Sequence, residues 1–208
     1  MSYSYDDVLP SLRTAYDAKV EERDSHAVEP WKEEERARFL TLLRDEDRRS
    51  LVDIGAGPGV HGAYFRDAGL HVTCVDLSPA MVARCRDRGM AAYNQDVLHL
   101  DLPTRFEAAF AMNSLLHTPP ADLGRALERI RAVLVPGAAF YLGQYGGVAF
   151  EGTWLDDGYD PPRYFSRLPD AELTRAAADV FEVEEFRAVD LGAPSDFGHF
   201  QALLLRRP

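Results

Sequence analysis

A short apolar strand that runs into three alternating glycines and reopens as a helix constrains this chain more than any other feature. It is Leu51-Val-Asp-Ile-Gly-Ala-Gly-Pro-Gly59, followed by a helical pattern from Val60 to Ala68 that Gly69 closes. Glycine lacks a Cβ, so the backbone can approach a ligand closely just where a helix start aims free N–H groups at it. The same unit then recurs with a period of about twenty residues. His71 to Val75 reads as a strand, and Pro79 to Arg88 as a helix with Ser78 as N-cap and Gly89 as stop; Ala91 to Gln95 and Glu107 to Met112 read as further strands. A helix from Ala121 to Val135 carries Leu123, Leu127, Ile130 and Leu134 on one stripe and ends at Pro136-Gly137, before a strand from Ala138 to Gly143. Alternating strands and helices with short connections predict a parallel sheet covered on both faces, the doubly wound α/β class, with ligands at the carboxyl ends of its strands.

The flanks add a cover and a closing edge. Tyr3 to Arg49 is charged, with Leu12, Ala15, Tyr16 and later Trp31, Phe39, Leu40 and Leu43 at helical intervals, which predicts two helices broken at Pro30. Residues 1–49 are therefore expected to form a helical lid, residues 50–208 the core, and the Gly-, Pro- and aromatic-rich stretch 144–166 an irregular insertion walling an acceptor pocket. After a helix from Asp170 to Ala178, Phe181 to Val189 and His199 to Arg206 are joined by LGAPSDFG. That connection is too short for a parallel crossover, so the two strands must pair antiparallel.

At 208 residues, 46% hydrophobic and 27% charged, the chain has the length and core of one globular domain. A net charge of −11 opposes nucleic acid and an anionic membrane as partners. The acidic first ten residues and the lack of an apolar run approaching ~18 residues predict a cytoplasmic protein. Cys74 and Cys85 lack metal-site spacing and read as reduced thiols; Asp156, Asp157 and Asp160 read as turn formers, so no metal is expected.

Two cofactor readings compete at the loop. Gly57, Gly59 and Gly62 satisfy the dinucleotide pattern G-x-G-x-x-G, with Asp76 nineteen positions beyond Gly57. In that arrangement Asp53 would repel a pyrophosphate. An acid beside the loop instead suits a cofactor with a cationic amino-acid end, and Asp76 can accept two ribose hydroxyls. The residues thus favour an adenosine that carries positive charge.

LVDIGAGPG, VTCVDLSPAMV, NQDVLHLDLP and FEAAFAMNSLLHTP, in this order, resemble the class I S-adenosylmethionine-dependent methyltransferases from about Leu51 to Gly143, and the closing strands through Leu205 extend the likeness. The resemblance implies a mostly parallel, seven-stranded Rossmann-like sheet with an antiparallel last strand, and S-adenosyl-L-methionine as cofactor with S-adenosyl-L-homocysteine as product. It implies that Gly55, Ala56, Gly57 and Gly59 pass beneath the methionine and ribose, and that Asp53 holds the loop or, through water, the ammonium. Asp76 would bind the ribose, Leu77, Ser78 and Met81 would pack around the adenine, and Asp96 with Val97 would receive its amino group. Asn113 lies where the family contacts the cofactor. Ser78 alternatively caps a helix and Asn113 alternatively makes a turn. The family's small-molecule branch carries Y-D-x-x-A-x-x-Y; here Tyr16-Asp17 is followed by Arg23 in place of the second tyrosine. Arg23 either takes the cofactor carboxylate or pairs with a neighbouring glutamate.

Methyl transfer is an in-line displacement that proximity alone accelerates, so a base is optional. His117, just past the fourth strand, is the candidate proton acceptor, and family members also use this histidine for positioning. Tyr145 is a second catalytic or orienting candidate, Arg163 binds an acidic substrate or a loop aspartate, and Trp31 covers the site or staples its helix to the core. The residues point first to methylation of a small-molecule acceptor by a monomer or homodimer. An NAD(P)-dependent oxidoreductase and a non-catalytic S-adenosylmethionine-binding protein are the alternatives.

Overall fold

In a computed structural model, residues 3–189, 191 and 198–208 are described. Three helices open the chain: α1 (Tyr5–Asp17), α2 (Val20–Ser25) and α3 (Pro30–Asp45). Then follow β1 (Ser50–Ile54), α4 (Val60–Asp67), β2 (His71–Asp76), α5 (Pro79–Asp87), β3 (Ala91–Asn94) and β4 (Phe106–Met112). The remainder is α6 (Pro120–Ala132), β5 (Leu134–Gly146), β6 (Phe150–Thr153), β7 (Tyr164–Arg167), α7 (Asp170–Ala178), β8 (Glu182–Val189) and β9 (His199–Arg206).

The main sheet has the order β3-β2-β1-β4-β5-β9-β8. The first five strands pair in parallel and β9 runs antiparallel to both its neighbours, as the sequence predicted for the closing pair. Chain order reverses between β1 and β4, so a crevice opens at their carboxyl ends, where the loops after these strands diverge. One sheet face packs on α1, α6 and α7 through Leu12, Leu127 and Leu173; the other packs on α3, α4 and α5 through Phe39, Phe65 and Val82. The central strand explains the close fit. Ala108, Ala109 and Ala111 are fully buried in β4, and Phe110 between them stacks on Tyr141 of β5 with centroids 5.0 Å apart.

Three expectations need correction. The N-terminal segment breaks at Ala18–Lys19 as well as before Pro30, giving three helices rather than two. The short α2 has no buried residue and is held from outside by ion pairs such as Asp24 with Arg88 at 2.5 Å. Helix α6 stops at Ala132, and Leu134 belongs to β5, which continues through Pro136-Gly137 at a register shift opposite Phe106 and Ala108. A bulge tolerates proline because no ladder N–H is required there. The 144–166 stretch is partly regular: β5 runs on to Gly146, and β6 pairs antiparallel with β7. Most of LGAPSDFG lies outside the described residues.

Among the described residues no helix is long and apolar enough to cross a membrane. Helix α3 is anchored to the sheet by a buried polar cluster. Glu35, 4% exposed, accepts hydrogen bonds from both terminal nitrogens of Arg187 on β8, at 2.8 and 2.5 Å, and from the Tyr141 hydroxyl at 2.9 Å. Removing one partner of such a pair strands a buried charge. Arg187→Met is expected to cost about 2–4 kcal/mol in urea unfolding, whereas a change under about 0.5 kcal/mol would show that the pair does not anchor α3.

Candidate functional site

The crevice is organised by the turn after β1. Gly55 has φ +68° and its N–H donates to the Val75 carbonyl at 2.8 Å, which binds the loop to β2. A Cβ at Gly55 would lie 2.2 Å from Cβ of Ser114, so the ends of β1 and β4 meet only because this position has no side chain. Gly57, at φ +55°, has open space around it, and its backbone conformation is what demands glycine. Its N–H donates to Oδ2 of Asp76 at 2.8 Å, while Oδ1 of Asp76 accepts the Ser78 N–H at 2.9 Å. Asp76 therefore ties the loop to the start of α5, and each carboxylate oxygen keeps further acceptor capacity toward the crevice. Burial raises its pKa against the lowering by those two N–H groups.

Three cavities run along the crevice, with Gly55 in the wall of each. The first, about 130 Å³, lies between the loop, the α2–α3 connection and α4, and is lined by Arg23, His26, Lys32 and His61. The second, about 60 Å³, is lined by Tyr16, Arg23, Asp76, Asn113 and His117. The third, about 40 Å³, is lined by Tyr5, Asp76, Leu77, Asp96 and Val97. Larger hollows of about 360 and 470 Å³ lie beside α3 and β8 and at the amino ends of β2 and β3, away from the loop.

The crevice thus gathers Arg23, Gly55, Ala56, Gly57, Asp76, Leu77, Asp96, Val97, Asn113 and His117 of the sequence-predicted set. Asn113 has φ +56° and accepts the Tyr145 N–H through its side chain, so it makes the turn as well as lining the crevice. Asp96 accepts the N–H groups of Leu98 and His99 and caps a short 3₁₀ turn. Arg23 is not paired with a glutamate; it donates to the Tyr159 hydroxyl at 3.2 Å.

Five predicted residues stand behind the cavity walls. Ser78 is fully buried, accepts the Met81 N–H and bonds Asp17 of α1; the helix-capping alternative describes it. Met81 is fully buried in the protein interior, and Gly59 serves as a left-handed cap of α4. Asp53, 2% exposed, lies under the loop against the Gly62 N–H, with Oδ2 unpartnered. Burial, helped by the Asp76 charge, lifts its pKa to about 7. Tyr145 packs against Trp31 and Phe200 at 6.0 and 5.7 Å and lines none of the three cavities. Burial, with Glu29 adding, pushes its phenol up to about 12, which leaves it protonated at neutral pH. Trp31 packs on Phe200 at 4.5 Å, in the stapling role.

His117 is held from both sides. Its Nδ1–H donates to the Tyr164 carbonyl at 2.7 Å, and Nε2 accepts the Tyr16 hydroxyl proton at 2.6 Å. Burial, with Arg163 adding, lowers its pKa to about 3. A ring with no free nitrogen and so low a proton affinity does not suit the base role; the positioning alternative describes it. Arg163 pairs with Asp157 at 2.8 Å and donates to the Tyr16 oxygen at 3.0 Å, so the loop aspartate is its partner. Sequence reasoning gave no site role to Tyr5, Ser114 or Lys32. Tyr5 and Tyr16, eleven positions and about three turns apart on α1, share a face, which was the available signal.

Residues 51–137 match the family described as a methyltransferase domain. The chain is 32% identical over 169 residues to a malonyl-[acyl-carrier protein] O-methyltransferase of Salmonella typhimurium, covering 80% of this chain and 62% of that protein. It is 32% identical over 134 residues to the protein of the same name from Pseudescherichia vulneris, covering 62% of this chain and 51% of the relative. The chain thus spans about half to three-fifths of these relatives. Among solved structures, the 1,6-didemethyltoxoflavin-N1-methyltransferase of Burkholderia thailandensis, with 1,6-didemethyltoxoflavin and S-adenosylhomocysteine bound, superposes with a TM-score of 0.74 at 23% identity, covering 100% of this chain and 91% of that one.

The raised Asp53 predicts a stability signature. The folded chain keeps a proton that the unfolded chain releases above about pH 4, so this contribution is complete below that pH and is lost as pH rises through about 7. Asp53→Asn lacks the loss. Between pH 5 and 8 its stability in urea is expected to gain on the natural protein by on the order of 3 kcal/mol, and parallel pH profiles would contradict the assignment.

Proposed function

We propose that this chain is a class I S-adenosylmethionine-dependent methyltransferase that transfers a methyl group from S-adenosyl-L-methionine to a small-molecule acceptor. The observation that carries the reading is Asp76: a carboxylate at the strand switch point that holds the glycine loop through one N–H yet keeps acceptor capacity toward two of the three cavities. The relatives' named acceptors, a malonyl group on a carrier protein and a didemethyltoxoflavin, support a small organic group as the methyl acceptor.

The residues present fit this cofactor. The loop is a cradle that a Cβ at Gly55 would obstruct, and beneath it Asp53 has a buried, unpartnered Oδ2 whose ionised form a cationic group at the loop would stabilise. When bound, S-adenosylmethionine supplies an electrophilic methyl group on a sulfonium. Asp76 would accept the ribose hydroxyls, and Leu77, Asp96, Val97 and Tyr5 would enclose the adenine end. Arg23 borders the first and second cavities, within reach of a carboxylate, and Asn113 borders both from the opposite strand. His117 acts as a positioning residue: it joins Tyr16 of α1 to the Tyr164 carbonyl of β7 and so keeps the helical cover against the insertion. Alignment and exclusion of water, rather than a side-chain base, then carry the rate. Residues 1–49 are taken as the lid, and the two buried free cysteines suit a cytoplasmic setting.

Calorimetric titration with S-adenosylhomocysteine tests the reading. Micromolar binding is expected, weakened about ten- to a hundredfold in Asp76→Ala, as loss of charge-assisted hydrogen bonds implies. Binding of NAD or NADP without S-adenosylhomocysteine would overturn it in favour of an oxidoreductase. In the pH dependence of kcat, no inflection between pH 6 and 7 should trace to His117, whose pKa lies near 3. An inflection there that disappears in His117→Gln would restore the histidine as base.

A further inference from the structure

The third cavity, between the end of β2 and the 3₁₀ turn Val97–His99, is a slot with Ile54, Val75, Leu77, Val97 and Leu115 in its walls. Two carboxylates border it. Asp76 gives one oxygen to the Gly57 N–H and the other to that of Ser78, so it is turned toward the glycine loop. The neighbouring amide of Gln95 spends both its ends on the backbone of Asp101, at 2.8 and 2.9 Å. Asp96 is therefore the carboxylate that the slot offers away from the loop.

The direction of that carboxylate is set by a residue outside the cavity. Oδ1 of Asp96 accepts the N–H groups of Leu98 and His99 at 3.0 and 3.2 Å, and Nδ1 of the His99 ring lies 3.0 Å from both Oδ1 and Oδ2. A carboxylate has no hydrogen to give, so Nδ1 is the donor. Oδ1 thus meets three N–H groups and Oδ2 only one, which leaves Oδ2 as the oxygen with room for another donor. The backbone groups hold one oxygen; a ring nitrogen equally far from both stops the carboxylate from turning about its Cβ–Cγ bond. The ring does little else. Its side chain is 65% exposed, against 9% for Asp96, and Asp96 is its only hydrogen-bond partner among the described residues. Val97 and Leu98, both buried, hold the turn to the core without it.

Resting on the methyltransferase reading, we propose that His99 is a positioning residue for base recognition: by fixing Asp96 as a donor-free acceptor, it makes the slot select a 6-aminopurine over a 6-oxopurine. An amino group brings hydrogens to Oδ2. A 6-oxo group brings a second oxygen against it, and that contact costs more the less the carboxylate can turn away. Selectivity for the base then belongs to a pair of side chains, Asp96 in the wall and His99 behind it.

The test is calorimetric titration of the natural protein, His99→Ala and His99→Asn with S-adenosylhomocysteine and with S-inosylhomocysteine, its 6-oxo analogue. The natural protein is expected to bind the adenosyl compound at least about tenfold more tightly than the inosyl one. In His99→Ala the adenosyl affinity should fall about five- to tenfold while the inosyl affinity stays the same or rises, so that the preference collapses. His99→Asn, whose amide supplies an N–H from nearly the place of Nδ1, should recover most of the preference. His99→Phe, which keeps a ring and removes the donor, gives the same comparison should the alanine variant fold poorly. A histidine that only supports the turn would weaken both ligands alike. Equal losses, an unaltered preference in His99→Ala, an asparagine variant no better than alanine, or a natural protein that does not favour the adenosyl compound would each overturn the proposal. Failure of the natural protein to bind either compound would instead remove the methyltransferase reading on which it rests.

Discussion

The Asp76 carboxylate is the interaction on which the rest of the site depends. It closes β2, accepts the N–H of Gly57 from the preceding loop and that of Ser78 at the start of α5, and still borders two cavities. Two strand ends and a helix start are thereby held in one geometry by a single side chain. The carboxylate is buried, so its charge tells strongly on its neighbours, and the raised pKa of Asp53 beneath the same loop is partly its effect. Two acids buried this close are costly to keep in an empty fold. Positive charge brought to the loop would relieve them both, which is why the pair and the glycine cradle belong to one functional unit.

A second arrangement governs access. Tyr16 accepts from Arg163 and donates to His117, Arg23 donates to Tyr159, and Arg163 lies 3.6 Å from the face of that ring. Helices α1 and α2 are thus joined to the strand pair β6–β7 through buried aromatic and guanidinium contacts, while His117 spans from the helix to the strand. Low proton affinity is an advantage for such a bridging histidine, since an imidazolium between two guanidinium groups would break the arrangement. Arg23 of α2 also stands in the wall of the first cavity, so the cover and the crevice share this element.

Much of this architecture was legible in the sequence. The strand–glycine–helix junction, the Ser78 cap and the antiparallel closing pair each rest on local chemistry: positive φ, an orphan helix N–H, or a connection too short to cross a sheet. The misreadings share a cause. Leu134 fits a helical stripe and a buried strand equally well, and only its pairing with Phe106 decides between them. Strands β6 and β7 are separated by a loop of ten residues, and neither four-residue segment marks its partner. For the site residues, identity was legible but engagement was not. His117, Tyr145 and Arg163 are chemically versatile side chains; their protonation and availability follow from partners such as Tyr16 and Glu29, far away along the chain, and Asp157, brought back across the loop before β7.

The sequence by itself determined the class of fold, the glycine-framed crevice at the strand ends and the acids that border it, because backbone conformation and hydrophobic period act over a few neighbouring residues. Tertiary structure alone decided which side chains remain available to a ligand. It put Tyr145 behind the wall, bound both nitrogens of His117 and brought Lys32 and His61 to one cavity from separate helices. Burial and charge sum over everything packed nearby, whatever its distance along the chain, and so become readable only once the chain has folded.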